Sequence, residues 1–157
     1  ILLAQVDSIM AIDDTDRSII RCLEADARMS LRSIASEIGV SLGTVSNRLK
    51  KMESSGVIKG YKIQIDPEKV GWGLTVVVGL RIEKGRLLEL QRTIAEDPRV
   101  LGVYDVTGEF DSMIVARARD RVDLDDLSKT VLSMNGITRT VTHFVLNTVK
   151  EQPTSVP

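Results

Sequence analysis

The stretch from Ser30 to Ile63, SLRSIASEIGVSLGTVSNRLKKMESSGVIKGYKI, leaves few folds open. Leu31, Ile34, Ala35 and Ile38 recur at i, i+3, i+4 and i+7, so they mark the buried face of a short helix. Ala35 is small enough to let a second helix cross close by. Gly39 stands where that helix must stop, a position that favours the left-handed backbone glycine adopts cheaply. Ser41 then caps a second helix. On it, Val45, Leu49 and Met52 face one way, while Thr44, Asn47, Arg48 and Lys51 form a polar stripe. The tail GVIKGYKIQI reads as a hairpin about Gly60. The order is that of a winged helix-turn-helix.

An isolated polar stripe is ordinary on a solvated helix. The preceding helix, the turn and the wing change its meaning. Asn and Arg make bidentate hydrogen bonds to adenine and guanine edges, Thr contacts an acceptor or the thymine methyl, and Lys supplies charge to phosphates. Charge agrees locally. The whole chain has 21 Lys and Arg against 22 Asp and Glu, yet Arg28 to Lys62 holds seven basic and two acidic residues, a net charge of +5. Ile63 to the end holds twelve basic and fourteen acidic, a net of −2. A basic module on an acidic body draws a polyanion to that module.

The chain has 157 residues, 43% of them hydrophobic and 27% charged, which suits one globular domain or two small ones. The single Cys22 excludes an intrachain disulfide and reads as a small core residue, consistent with a reducing cytosol. The apolar run Leu74–Leu80 is too short to span a bilayer and reads as a buried strand. ILLAQVDSIM lacks a basic leader and a small-residue cleavage pattern, so no secretory signal and no membrane partner is expected, and the expected location is the cytoplasm. Residues 1–11 read as an N-terminal extension.

The acidic cluster from Asp13 to Asp16 opens a first helix, Thr15 to Ala27, followed by Leu31 to Ile38 and Leu42 to Ser54. This places a DNA-binding domain at 12–66 and a Pro- and Gly-bearing linker at 67–73. Over 74–150 the pattern alternates: strand Thr75–Ile82, helix Arg86–Glu96, strands Val100–Thr107 and Ser112–Arg119, helix Val122–Met134, and strand Ile137–Thr148. That is βαββαβ, an α+β ferredoxin-like sandwich with its helices on one sheet face. The tail 151–157, with two prolines, is expected to fray.

Nothing supports an enzyme, a cofactor or a metal site. His143 lies alone in a strand pattern, and Asp123, Asp125 and Asp126 sit at a helix start, where caps and the dipole favour acids. The connection GEFD, Gly108 to Asp111, admits two readings. In one, Gly108 supplies backbone freedom and Asp111 bonds nearby amides. In the other, Gly108 lets a ligand approach between subunits and Asp111 pairs with its amino group.

From Ile12 to about Lys150 the chain resembles the Lrp/AsnC family of prokaryotic transcription regulators. IDDTDRSII is similar to that family's opening helix, SLRSIASEIGVSLGTVSNRLKKMESSGVIKGY to its helix-turn-helix and wing, and VYDVTGEFD to its mid-domain strand and turn. The βαββαβ half is similar to its RAM-type sensing module. The resemblance implies that Ser41, Thr44, Asn47 and Arg48 read or position double-stranded DNA, with Lys50 and Lys51 toward phosphates and Arg48 foremost. It also implies that Tyr104, Thr107, Gly108 and Asp111 lie near a site for a free amino-acid effector between subunits. Gly43 departs from the pattern, where a larger residue is expected.

The mechanism that follows is a homodimer, capable of stacking into tetramers or octamers, that presents two recognition helices to successive major grooves about 34 Å apart. An amino acid would shift assembly or DNA geometry through its differential affinity. The alternative is an architectural DNA-binding protein with low sequence specificity.

Overall fold

The computed structural model describes residues 12–157. The expected N-terminal extension at 1–11 lies outside the described residues. Two compact units divide the chain: one takes the residues up to Ile63 together with Gln152–Pro157, and the other runs from Gln64 to Glu151.

The first unit is built on three helices, α1 (Asp14–Ala25), α2 (Leu31–Ile38) and α3 (Leu42–Ser54). Each start is capped by its own sequence. Asp13 and Asp16 form a reciprocal capping box on α1, Ser30 accepts from the Ser33 N–H on α2, and Ser41 accepts from the Thr44 N–H on α3. Gly39 ends α2 at φ 72° and ψ 34°, in the left-handed region. The three helices enclose Ile19, Cys22, Ile34, Ala35, Val45 and Met52. Gly39→Ala is expected to cost about 1 kcal/mol, because a Cβ strains that conformation although no atom lies in its way. Chemical denaturation of the first unit measures it.

The wing departs from the expected hairpin. No paired strand forms between Gly56 and Pro67; the segment is held at its root by the Ile58 N–H donating to Met52 C=O, and by Tyr61 Oη donating to Glu53 Oε1 at 2.8 Å. Burial of the Tyr61 hydroxyl, with Glu53 beside it, raises its pKa to about 12. The apolar side chains Ile63 and Ile65 are exposed. The tail also departs from expectation. Ser155 Oγ donates to Glu24 Oε2, Arg17 donates to the Pro157 carbonyl oxygen, and Val156 is half-buried, so 152–157 lies along α1.

The second unit follows the order β1 (Leu74–Ile82), α4 (Leu87–Ala95), β2 (Val100–Asp105), β3 (Ser112–Ala118), α5 (Arg121–Thr130), β4 (Ile137–Phe144). A short 3₁₀ turn, Glu68–Val70, precedes it. The sheet is wholly antiparallel in the order β2-β3-β1-β4, the ferredoxin-like arrangement. Strand alternation sorts its side chains. Val76, Val78, Leu80, Ile82, Ile114, Ala116 and Ala118 pack with Leu90, Ile94 and Leu127 of the helices. Val77, Met113, Val115 and Val141 alternate with them onto the opposite face and stay partly exposed. Among the described residues no helix is long and apolar enough to cross a membrane.

Candidate functional site

Helix α3 carries a sharp division of labour around its axis. Val45 and Met52 are fully buried and Leu49 half-buried, so that side is committed to the core. Asn47, Lys50 and Lys51 are exposed, and Thr44 is half-buried beside them. Thr44 and Ser41 are coupled at the helix start: their hydroxyls lie 2.8 Å apart while Ser41 Oγ accepts from the Thr44 N–H at 3.0 Å. Gly43 has open space about it apart from Ser41 Oγ at 3.8 Å, so the first turn of α3 offers unobstructed backbone.

Arg48 is placed differently from the other five. Its Nη1 donates to Asp13 Oδ2 at 2.5 Å and to Asp16 Oδ2 at 3.5 Å. Asp13 and Asp16 read in the sequence only as a helix start, and thirty-odd residues of separation gave no signal that they hold Arg48. The hydrogen bond from the Asp16 N–H holds the Asp13 carboxyl below the usual carboxylate range, and Arg48 adds to that effect.

At the GEFD connection, Asp111 is a backbone partner. Its Oδ2 accepts from the Ile82 N–H at 2.9 Å, while its own N–H donates to Leu80 C=O. The carboxylate thus replaces a ladder bond beside the irregularity at Arg81 and Ile82. Gly108 has φ 116°, which only glycine adopts cheaply, and Thr107 and Tyr104 are exposed. The Tyr104 ring folds over Gly102, and the Phe110 ring over Gly79, where an added Cβ would stand 2.7 Å from ring carbons. Arg139 lies 5.9 Å from the Phe110 centroid and donates to Glu109 Oε1 at 2.9 Å.

Two cavities of the second unit lie elsewhere. One of about 460 Å³ sits at the Thr75 and Arg117 end of the sheet beside Trp72 and Glu151, and one of about 360 Å³ between Leu124 of α5 and Phe144 of β4. Tyr104, Thr107, Gly108 and Asp111 line neither. Among the described residues, no group of three or more His, Cys, Asp or Glu is placed to hold a metal ion.

Residues 12–59 match a winged helix-turn-helix DNA-binding family model, and residues 75–155 match the Lrp/AsnC ligand binding domain. An uncharacterised HTH-type transcriptional regulator of Pyrococcus abyssi is 44% identical over 140 residues, covering 89% of this chain and 95% of the relative. The regulator LrpA of Pyrococcus horikoshii is 33% identical, covering 88% and 99%. Among solved structures, a Neisseria meningitidis transcriptional regulator in complex with L-methionine is similar at 27% identity, with a TM-score of 0.84 over 94% of this chain and 97% of that one. The feast or famine regulatory protein of M. tuberculosis complexed with L-methionine is similar at 30% identity, with a TM-score of 0.82 over 94% and 100%.

Proposed function

The chain belongs to the Lrp/AsnC family of helix-turn-helix transcriptional regulators, and from that premise we propose that it binds operator DNA as a homodimer through the exposed face of α3. One observation carries the reading. Asn47 and Lys51, with Thr44 beside them, project from a helix whose other side is committed to the core, and the Asn47 and Lys51 side chains have no hydrogen-bonding or ion-pairing partner among the described residues. Asn47 suits an adenine edge, and Thr44 and Ser41 suit phosphate or base at the helix N-terminus. Lys50 and Lys51 supply phosphate charge.

The sheet face bearing Val77, Met113, Val115 and Val141 is the natural surface for a second copy, because it is apolar at its centre and covered by no helix. A homodimer of helix-turn-helix units reads two half-sites about one helical turn of DNA apart, one α3 to each. The protein would act in the cytoplasm, where that DNA is.

The methionine complexes of the two similar structures support a free amino acid as effector. In this reading the turn at Gly108 offers open backbone, Thr107 and Tyr104 supply exposed polar groups, and Asp111 shapes the turn through Ile82.

Fluorescence anisotropy on a duplex selected by the protein from a random pool tests the DNA reading. Asn47→Ala is expected to weaken binding by about 1–3 kcal/mol and to relax preference at one base pair of each half-site. Equal affinity of the native chain for selected and scrambled duplexes would instead favour an architectural role.

A further inference from the structure

At about 100° of rotation per residue, Thr44, Asn47 and Lys51 fall on the side of α3 opposite Val45, Leu49 and Met52, while Arg48 falls on the flank between the two. Its guanidinium is there engaged by Asp13 and Asp16. Those two carboxylates already have a duty. Asp13 accepts from the Asp16 N–H and Asp16 from the Asp13 N–H, closing the capping box of α1. Asp16 is only 4% exposed. A carboxylate withdrawn that far from water needs a cation or several donors, and Arg48 provides the cation.

We propose that Arg48 is a positioning residue for DNA binding and that Thr44 and Asn47 do the reading, with Lys51 on the phosphates. This inference rests on α3 being the DNA-facing helix. Both bonds leave Nη1, so the guanidinium is tied to the start of α1, off the side of α3 that bears Thr44 and Asn47. Tied as it is, it fixes the rotation of α3 against the start of α1, and it offsets one of the two negative charges that stand beside a helix meant for a polyanion.

A double-mutant cycle on the full chain tests this, at fixed salt and well below the unfolding temperature. One arm is Arg48→Met; the other is Asp13→Asn with Asp16→Asn, which removes the negative charge yet keeps the cap, since Asn caps about as well as Asp. The combined variant buries no unpaired charge and so stays foldable. Each protein is titrated with a duplex selected by the wild-type chain from a randomised pool, and with its scrambled counterpart, and its preference at every base pair is profiled.

Arg48→Met alone is expected to weaken both duplexes about tenfold with an unaltered base profile, and to cost less than about twofold in the doubly amidated background. Relaxed preference at a single base pair, with equal losses in both backgrounds, would make Arg48 a reader and overturn the proposal. Unchanged affinity with only a lowered melting temperature would reduce it to a scaffold contact and overturn it too. Failure of the wild-type chain to bind any duplex would sink the DNA reading itself, an outcome distinct from either.

Discussion

Ile34→Ala is expected to destabilise the helical unit by about 3–4 kcal/mol, since it deletes three carbons at a fully buried position of a small core. Ile34 belongs to one core cluster with Ile19, Val45 and Met52. A unit of this size holds a modest stability to begin with. The loss should lower its melting temperature by roughly 12–32 °C. The sheet unit has its own core, centred on Val78, Leu80, Ile114 and Leu127, and should melt where it did before. Calorimetry with circular dichroism would resolve the two transitions, and DNA binding should disappear with the first. A single transition moving as a whole would contradict separate cores.

The second large effect concerns the sheet unit. Arg99→Met is expected to cost about 3 kcal/mol, because Arg99 is the hub of an ion cluster largely withdrawn from water. Its Nε and Nη2 grip the two oxygens of Asp97 at 2.9 and 2.7 Å, and its Nη1 reaches Asp126 at 2.8 Å, Asp123 Oδ1 at 3.2 Å and the Asp123 carbonyl at 3.0 Å. Side-chain exposure is 13% for Arg99 and Asp97 and 6% for Asp123. Removing the cation leaves Asp97 only the residue-99 N–H, whereas Asp123 keeps the Arg119 side chain and N–H.

The same cluster makes the unit acid-sensitive. Hydrogen bonds from Arg99 lower the Asp97 pKa, and those from the Arg119 side chain and N–H lower that of Asp123 further, with Arg99 adding to the effect. Both carboxylates are therefore more acidic folded than unfolded. Their stabilisation is complete above the ordinary carboxylate pKa of about 4 and drains away as the pH falls through the lower folded values. Denaturation midpoints of wild type and Arg99→Met should be farthest apart near neutrality and converge in acid.

This cluster also shows where sequence reasoning runs out. Asp123, Asp125 and Asp126 read as acids favoured at a helix start, and α5 does start there, but its cap is Asp120 and Asp123 is the inward anchor for two arginines. Nothing in local spacing links Arg99 to a residue twenty-four positions away. By contrast α2 and α3 lie at the bounds their periodicity and caps imply, Leu31–Ile38 and Leu42–Ser54, because those signals are local and agree with one another. Strand ends were less legible: β4 stops at Phe144, short of Thr148, with one further bond from the Val145 N–H to Thr75 C=O, while the apolar residues Val145 and Leu146 carry the strand-like composition onward. The segment after α3 belongs to a winged helix-turn-helix, but a hairpin's composition does not by itself supply a partner for its second arm. At the candidate site, the exposed stripe of α3 could be read off its period. The engagement of Arg48 and the turn of Asp111 back to Ile82 depend on tertiary closure that no window of sequence contains.

Strand β1 lies between β3 and β4, and its pairing with β4 joins Val76 to Phe144. During synthesis the three-helix unit has all its core residues by Ile58, so it can condense while the ribosome is still making the sheet. The inner strand must wait, with one flank bare, until β4 has left the exit tunnel. Until then a nascent chain carries an unfinished sheet edge of the kind that pairs with a neighbour's.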